Sequence, residues 1–401
     1  MPVVQTPHPP MDASGPVRVL VVHNAYRHTG GEEAVVQSEV GLLRSHGHVV
    51  ELYQRNNTEI SDLGSFRTAK QTLWSMKTSE EIEVVVSKFR PSVIHAHNTF
   101  PLISPSLFWA ASRANVPTVQ TLHNFRLLCV QAMFLRNERV CEDCLGTIPW
   151  RGIVRRCYRS SAAESAVLVG MLALHRALGT FSNKVSQFIA LNEFCRRKFI
   201  EGGLPADRIS VKPNFVDIEP SAEGPRAGGL YVGRLSAEKG IGVLVEAAAH
   251  LPKAFKIGVY GSGPEQANAE KSSNLVCYGW RSSDELQVAM RNAEFLVMPS
   301  LWYENSPRAL IEAFASGLPV IASRIGALGE LVQDGRTGLL FEAGSSRDLA
   351  EKMLWASSHP AAMRRLGKSA RAEYESRYSP EPNYEQLMAI YMDVLARRAS
   401  A

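Results

Sequence analysis

Glu304 and Glu312 stand eight positions apart in the run LWYENSPRALIEAFASGLPVIAS. Upstream, the unit YVGRLSAEKG sets Arg234 and Lys239 beside Gly233. Two cations at a glycine turn suit a diphosphate, because guanidinium and ammonium groups make charge-assisted bonds to phosphate oxygens. Two carboxylates accept from the hydroxyls of a ribose and of a sugar. The set therefore reads as a site for a nucleoside-diphosphate sugar. Each piece alone has a plainer reading: two unrelated charges on a solvated loop, one acid answering a helix dipole, one acid on a helix surface. Their occurrence together favours the site.

The elements that must position these groups follow from local chemistry. Ser306 is the expected N-cap and Pro307 the expected first helical residue. Glu304 would then lie just before a helix mouth and Glu312 within the helix. Asn305 and Ser306 offer side chains at that mouth, whereas Pro307 has no N–H to give. Gly261, in the turn GSGPE, is a weaker candidate for phosphate contact, since most Gly-x-Gly turns are only turns.

Around these motifs, strand-like and helix-like runs alternate. VRVLVVHN (17–24) reads as the first strand, followed by a loop at Gly30 and Gly31 and a helix opening at Glu32 and Glu33. HVVELY, SVIHAHN (92–98), TVQTLHN (118–124) and FIALN (188–192) are further strands. The run IEPSAEGPRAGG (218–229) is poor in large apolar residues and reads as a hinge. The alternation then restarts through GLYVG, FKIGVY, LVCYGW, FLVMPS and PVIAS. Two doubly wound α/β units with mostly parallel sheets are expected, facing across a cleft. The expected parts are an acceptor-side domain over 17–217, a linker over 218–229 and a donor domain over 230–380. A last helix over 381–398, apolar at helical spacing, should pack back on the first domain. In such sheets ligands gather beyond the carboxyl ends of strands.

Composition bounds the class. The chain has 401 residues, 45% of them hydrophobic and 21% charged, which suits a folded protein of two domains. A net charge of +5 is no argument for nucleic acid. The opening MPVVQTPHPPMDASGP lacks the basic start and apolar run of a signal peptide, and no stretch nears the about eighteen apolar residues of a membrane span. A cytoplasmic protein is expected.

With these residues in view, the chain resembles the retaining glycosyltransferases of family 4, which have the GT-B fold. The likeness rests on two glutamates separated by seven residues, the segment Gly233-Arg234 to Lys239-Gly240, and GLPV at 317–320; it runs through nearly the whole chain from residue 17. The resemblance implies that Arg234 and Lys239 grip the donor diphosphate, that Glu304 contacts the transferred sugar and that Glu312 binds the ribose hydroxyls. It implies that the Gly30–Gly31 loop closes over the donor phosphates and acceptor, and that His123, in the pattern T-x-H, lies close to the sugar and orients or polarises the donor. It also implies retention at the anomeric carbon. Where the family often has glycines after the first glutamate, this chain has Asn305, Ser306 and Pro307, which leaves the sugar open. A UDP- or GDP-sugar is the expected donor. No Asp-x-Asp cluster follows a strand, so transfer without a catalytic metal or an organic cofactor is expected. His95 and His97 share one strand face and are either acceptor contacts or satisfied interior histidines.

Six cysteines are present, and Cys129, Cys141, Cys144 and Cys157 cluster in sequence. Cys129 lies twelve before the Cys141-x-x-Cys144 pair and Cys157 thirteen after it, a spacing that lets four thiolates close around a structural zinc. Reduced cysteines, a redox dithiol at 141 and 144, and an iron–sulfur cluster are the alternatives. A metal here would shape the acceptor side and leave the diphosphate site alone. Residues 126–159 also hold seven arginines against three acids, with Trp150 and Ile153 close by. This is either a solvated basic face or a surface that rests on an anionic membrane, on its inner cytoplasmic side. A glycan or lipid-linked saccharide is the expected acceptor. Two other functions use the same residues: a nucleotide-sugar epimerase or phosphorylase, and a non-catalytic nucleotide-sugar-binding module.

Overall fold

The computed structural model describes residues 15–27, 30–219 and 224–400. Most of the proline-rich opening, and residues 220–223 of the expected hinge, lie outside the described residues.

The first sheet contains β1 (Arg18–Ala25), β2 (Val49–Asn56), β3 (Val93–Asn98) and β4 (Thr118–Leu122). After β4 the chain makes a small antiparallel hairpin, β5 (Leu135–Arg136) and β6 (Arg139–Val140). It then returns to the sheet as β7 (Gln187–Ala190) and β8 (Ile209–Val211). The order is β2-β1-β3-β4-β7-β8, parallel throughout. The second sheet comprises β9 (Gly229–Val232), β10 (Ile257–Tyr260), β11 (Leu275–Gly279), β12 (Phe295–Met298), β13 (Val320–Ser323) and β14 (Gly338–Phe341). Its order is β11-β10-β9-β12-β13-β14, again parallel.

The central strands explain themselves. β3, β4, β12 and β13 are buried at every residue, as continuous runs must be when helices cover both faces of a parallel sheet. Separate apolar clusters form on the two faces of each sheet. The last helix, Pro380–Ala399, presents Leu387, Ile390, Tyr391 and Val394 at helical spacing. These residues pack with Val19, Val21, Val40 and Val50 of the first domain, so the chain ends on the unit where it began.

Strand order reverses between β1 and β3 in the first sheet and between β9 and β12 in the second. Those switch points open crevices at the carboxyl ends of the strands, where α/β sheets bind ligands. β8, β14 and the β5–β6 hairpin go beyond the strands expected from sequence; β8 and the hairpin strands, at two or three residues each, are too short to show an alternation.

Candidate active site

At the second switch point, β9 runs into Gly233 and β12 into Ser300, and the two loops bring the predicted cation and acid together. Lys239 Nζ lies 2.7 Å from Oε1 of Glu304. The same oxygen accepts from Ser300 Oγ at 2.8 Å and from Trp302 Nε1 at 3.1 Å. Glu304 is only 4% exposed, and the Lys239 ammonium sits over the Trp302 ring. Gly240 makes this approach possible. Its φ is +72°, and a Cβ there would stand 1.8 Å from the Pro299 carbonyl oxygen. The turn after Lys239 is thereby pressed against the end of β12.

Arg234 is exposed and carries no side-chain hydrogen bond or ion pair among the described residues. It stands on the same loop as the paired Lys239. Gly261 backs this loop: its Cβ would meet the Gly233 carbonyl oxygen at 2.0 Å, with φ at +136°. Its glycine identity is thus required by loop-to-loop packing, whatever its part in binding.

The helix after Glu304 departs from expectation. It spans Arg308–Ala315, and Pro307, not Ser306, holds the N-cap position, with no side chain capping it. Pro307 has ψ of 115°, outside the helical range, so the helix starts one residue later than the proline rule suggests. Glu312 still lies on this helix, where Arg308 Nε reaches its Oε1 at 2.6 Å. Arg308 is a neighbour that the sequence reading missed, although its spacing of four from Glu312 was visible. Both polar atoms of the Asn305 side chain are buried without a hydrogen-bond partner. A native protein rarely leaves an amide so, and an adjoining ligand is one thing that completes such a group.

On the first domain, helix Gly31–Ser45 begins directly after Gly30. Glu33 accepts from the N–H groups of Gly30 at 2.9 Å and Tyr26 at 2.8 Å, so one carboxylate holds both. Burial works against its charge, but His23 and these N–H groups prevail and hold Glu33 down to about 2. Burial, then the Glu33 charge, pushes Glu32 up to about 8. Among the described residues, none places an atom within 4 Å of where a Cβ on Gly31 would stand.

His123 follows β4 directly. Its Nε2 lies 2.9 Å from Nδ1 of His97, with the two rings stacked. Behind them is a buried charge cluster that the sequence did not announce. Glu39 places Oε1 3.2 Å from His97 and 3.0 Å from His95, while its Oε2 lies 3.0 Å from Lys212. The contact to His97 is close but not aligned as a hydrogen bond. Tyr391 of the last helix reaches His95 Nδ1 at 2.7 Å, and Asn383 of that helix reaches Lys212 at 2.8 Å. His95 and His97 are thus interior residues. Burial lowers His97 to about 4 and takes His123 well below the usual imidazole range, with neighbouring histidines adding to both shifts. His123 is neutral at neutral pH, and it lines a small cavity with Gln120, Asn124 and Arg126.

The two domains meet beside Glu304. Asn192, just past β7, donates to the Asn305 carbonyl, and Arg197 pairs with Glu330. Tyr303 packs edge-on against Phe134 and Phe194 of the first domain. A further cavity lies elsewhere, between Arg226 and Arg371, and includes none of the predicted site residues.

Residues 29–220 match the model for Glycosyltransferase Family 4, and residues 222–373 match that for Glycosyl transferases group 1. The chain belongs to glycosyltransferase family 4. Among curated relatives, the chain is 27% identical over 312 residues to the sulfoquinovosyl transferase SQD2 of Arabidopsis thaliana, covering 75% of this chain and 56% of that one. It is 28% identical over 233 residues to the phosphatidyl-myo-inositol mannosyltransferase of Mycobacterium leprae, covering 54% and 62%. An uncharacterized glycosyltransferase of Methanocaldococcus jannaschii is 32% identical over 178 residues, covering 43% and 50%. The chain therefore spans about half to three-fifths of the length of these relatives. The glycosyltransferase's fold matches sucrose-phosphate synthase of Thermosynechococcus elongatus at a TM-score of 0.70 and 19% identity, covering 95% of this chain and all of that one. It matches Anabaena HepE in complex with UDP at 0.62 and 17%, covering 96% of this chain and all of HepE. These likenesses establish the GT-B architecture.

Proposed function

We propose that this glycosyltransferase moves a sugar from a nucleoside-diphosphate sugar to a glycan or lipid-linked acceptor, with retention at the anomeric carbon. The observation that carries the reading is the pairing of Lys239 with the buried Glu304 at 2.7 Å, at the strand-order switch point and on the same loop as the unpaired cation Arg234. In this reading the second domain takes the donor. The departing diphosphate gains negative charge as the glycosidic bond breaks, and Arg234 and Lys239 stabilise that charge from fixed positions without a divalent ion. Lys239 would then divide its charge between phosphate and Glu304. Glu304 and the unsatisfied amide of Asn305 take sugar hydroxyls, and Glu312, steadied by Arg308, takes the ribose. The relatives whose names include a sulfoquinovosyl or mannosyl transfer, and the neighbour bound to UDP, support a donor of this chemical class.

The first domain takes the acceptor, with neutral His123 at the strand end as a hydrogen-bonding group. Ile148, Trp150 and Val154 are exposed at 53%, 54% and 73% around Arg151, which stacks on Trp150. Apolar groups beside cations suit an anionic lipid surface. No described helix is long and apolar enough to cross a membrane. We read the enzyme as acting from the cytoplasmic side, on cell-envelope or exported polysaccharide. Incubation with UDP- and GDP-sugars and an acceptor panel should release nucleoside diphosphate and give a product whose anomeric configuration, read by proton NMR, equals the donor's. Inversion, or no release with any acceptor, would sink the assignment. Flotation with anionic vesicles should carry the protein and fail for Trp150→Ser/Val154→Ser; equal flotation of both would remove this face from the account.

A further inference from the structure

Cys129, Cys141, Cys144 and Cys157 occupy a stretch that little regular structure holds. Between β4 and helix Ala162–Ala177 the chain has only the β5–β6 hairpin and the short helix Arg151–Val154. Seven of the ten described non-glycine residues with positive φ fall within 132–160. Side chains disfavour that region, so something must hold the backbone in it.

The cysteines sit on four arms of one segment. A turn bonds the Cys129 N–H to Phe125 O at 2.9 Å. The hairpin delivers Cys141, whose N–H donates to Phe134 O at 2.7 Å, and Cys144 lies one turn further on. Helix Arg151–Val154 brings Cys157 back, with its N–H on Gly152 O at 2.9 Å. Gly152 packs so tightly that a Cβ there would stand 2.7 Å from Val130, which presses the last arm onto the first. All four are free of disulfide bonds and partly buried. Arg155 lies 3.9 Å from Cys141 Sγ and also pairs with Asp143. The sulfurs are not closed into a site here: among the described residues, only Glu39, His95 and His97 bring three ligand atoms within 4.8 Å of one another. That buried set already has its cation in Lys212.

We propose that the four cysteines bind one zinc ion as thiolates, and that the ion braces a strut between the two domains. Four thiols lose four protons on binding, giving a tetrahedral site of net charge −2 with no position left for water. Arg155 offsets part of that charge. The strut is formed by the residues between the ligands. Glu142 lies inside the Cys141–Cys144 loop, 3.0 Å from Lys198. Phe134, whose carbonyl holds Cys141, packs on the Tyr303 ring. Tyr303 precedes Glu304 directly. The cysteine segment is therefore not confined to the acceptor side, as the sequence suggested, but walls the loop that carries Glu304.

The test uses full-length protein purified without added metal or chelator. Elemental analysis should find about one zinc per chain, and cobalt exchange should give the intense absorption of a tetrahedral thiolate site. Cys277→Ser, on β11, should keep the metal, and Cys144→Ser should lose it. Less than about 0.2 zinc per chain with six reactive thiols would overturn the site. Iron in place of zinc, or full zinc content in Cys144→Ser, would overturn it too. Should Cys144→Ser fail to fold, the wild-type metal content and thiol count still decide. Stripping zinc from wild type should speed amide exchange in 129–157 and in 300–307; a change confined to the cysteine segment would overturn the strut. None of these readouts depends on donor binding.

Discussion

His97→Gln probes the buried network beneath His123. His97 is held neutral by burial, with its folded value lowered to about 4, while an unfolded histidine titrates near about 6.5. Between those values the unfolded chain binds the extra proton, so His97 makes the fold less stable as pH falls. At pH 7 this contribution is close to nil. At pH 5 the linkage relation gives a loss of about 2 kcal/mol from this one group. Glu32, raised to about 8, titrates in the same range with the opposite sign, so the pH slope of wild type alone decides nothing. The difference between wild type and His97→Gln isolates the term. Glutamine still offers an amide N–H toward Glu39 and never takes a proton. Urea unfolding of both proteins at pH 7 and pH 5 should show the cost of the substitution shrinking by about 2 kcal/mol at the lower pH. A cost independent of pH would refute the claim that His97 is buried neutral and that His123 rests on a neutral partner.

Asn305→Ala should leave stability unchanged or slightly raised, because both polar atoms of this buried amide lack partners, yet it should lower turnover. A destabilised but fully active variant would contradict its role as a ligand-facing group. Glu312→Ala should weaken donor binding by about 1–3 kcal/mol, measured calorimetrically, with little change in melting temperature, since a pair four residues apart on a helix contributes only about 0.5 kcal/mol. Unchanged affinity would take Glu312 out of the ribose site. Gly261→Ala should cost about 1–3 kcal/mol of stability, as its Cβ would stand 2.0 Å from the Gly233 oxygen at a φ that side chains avoid. A neutral effect would mean that the two loops do not pack as described.

The parts of the site legible in the sequence were those where chemistry and spacing are local. Gly233 to Lys239 and Glu304 to Glu312 lie on single loop-and-helix units, and buried parallel strands announce themselves as continuous apolar runs. What stayed hidden depends on residues distant along the chain. Glu39 reads as an ordinary helix acid, because no local pattern shows that Lys212 and the last helix, at Tyr391, will close over it. The helix start slipped by one residue because Pro307 fits both the N-cap and the first turn, and only its ψ separates them. The packing of Phe134 on Tyr303 crosses between domains, which periodicity within either domain cannot reveal.

The central claim is that Arg234 and Lys239 hold a diphosphate at the second switch point. Calorimetric titration of UDP, GDP and ADP, and of the matching nucleosides, into wild type, Arg234→Ala and Lys239→Ala tests it most directly. One diphosphate should bind wild type, each substitution should weaken it by about 1.5–3 kcal/mol, and the nucleoside should be affected far less. No binding of any diphosphate, or equal losses for diphosphate and nucleoside, would contradict the account.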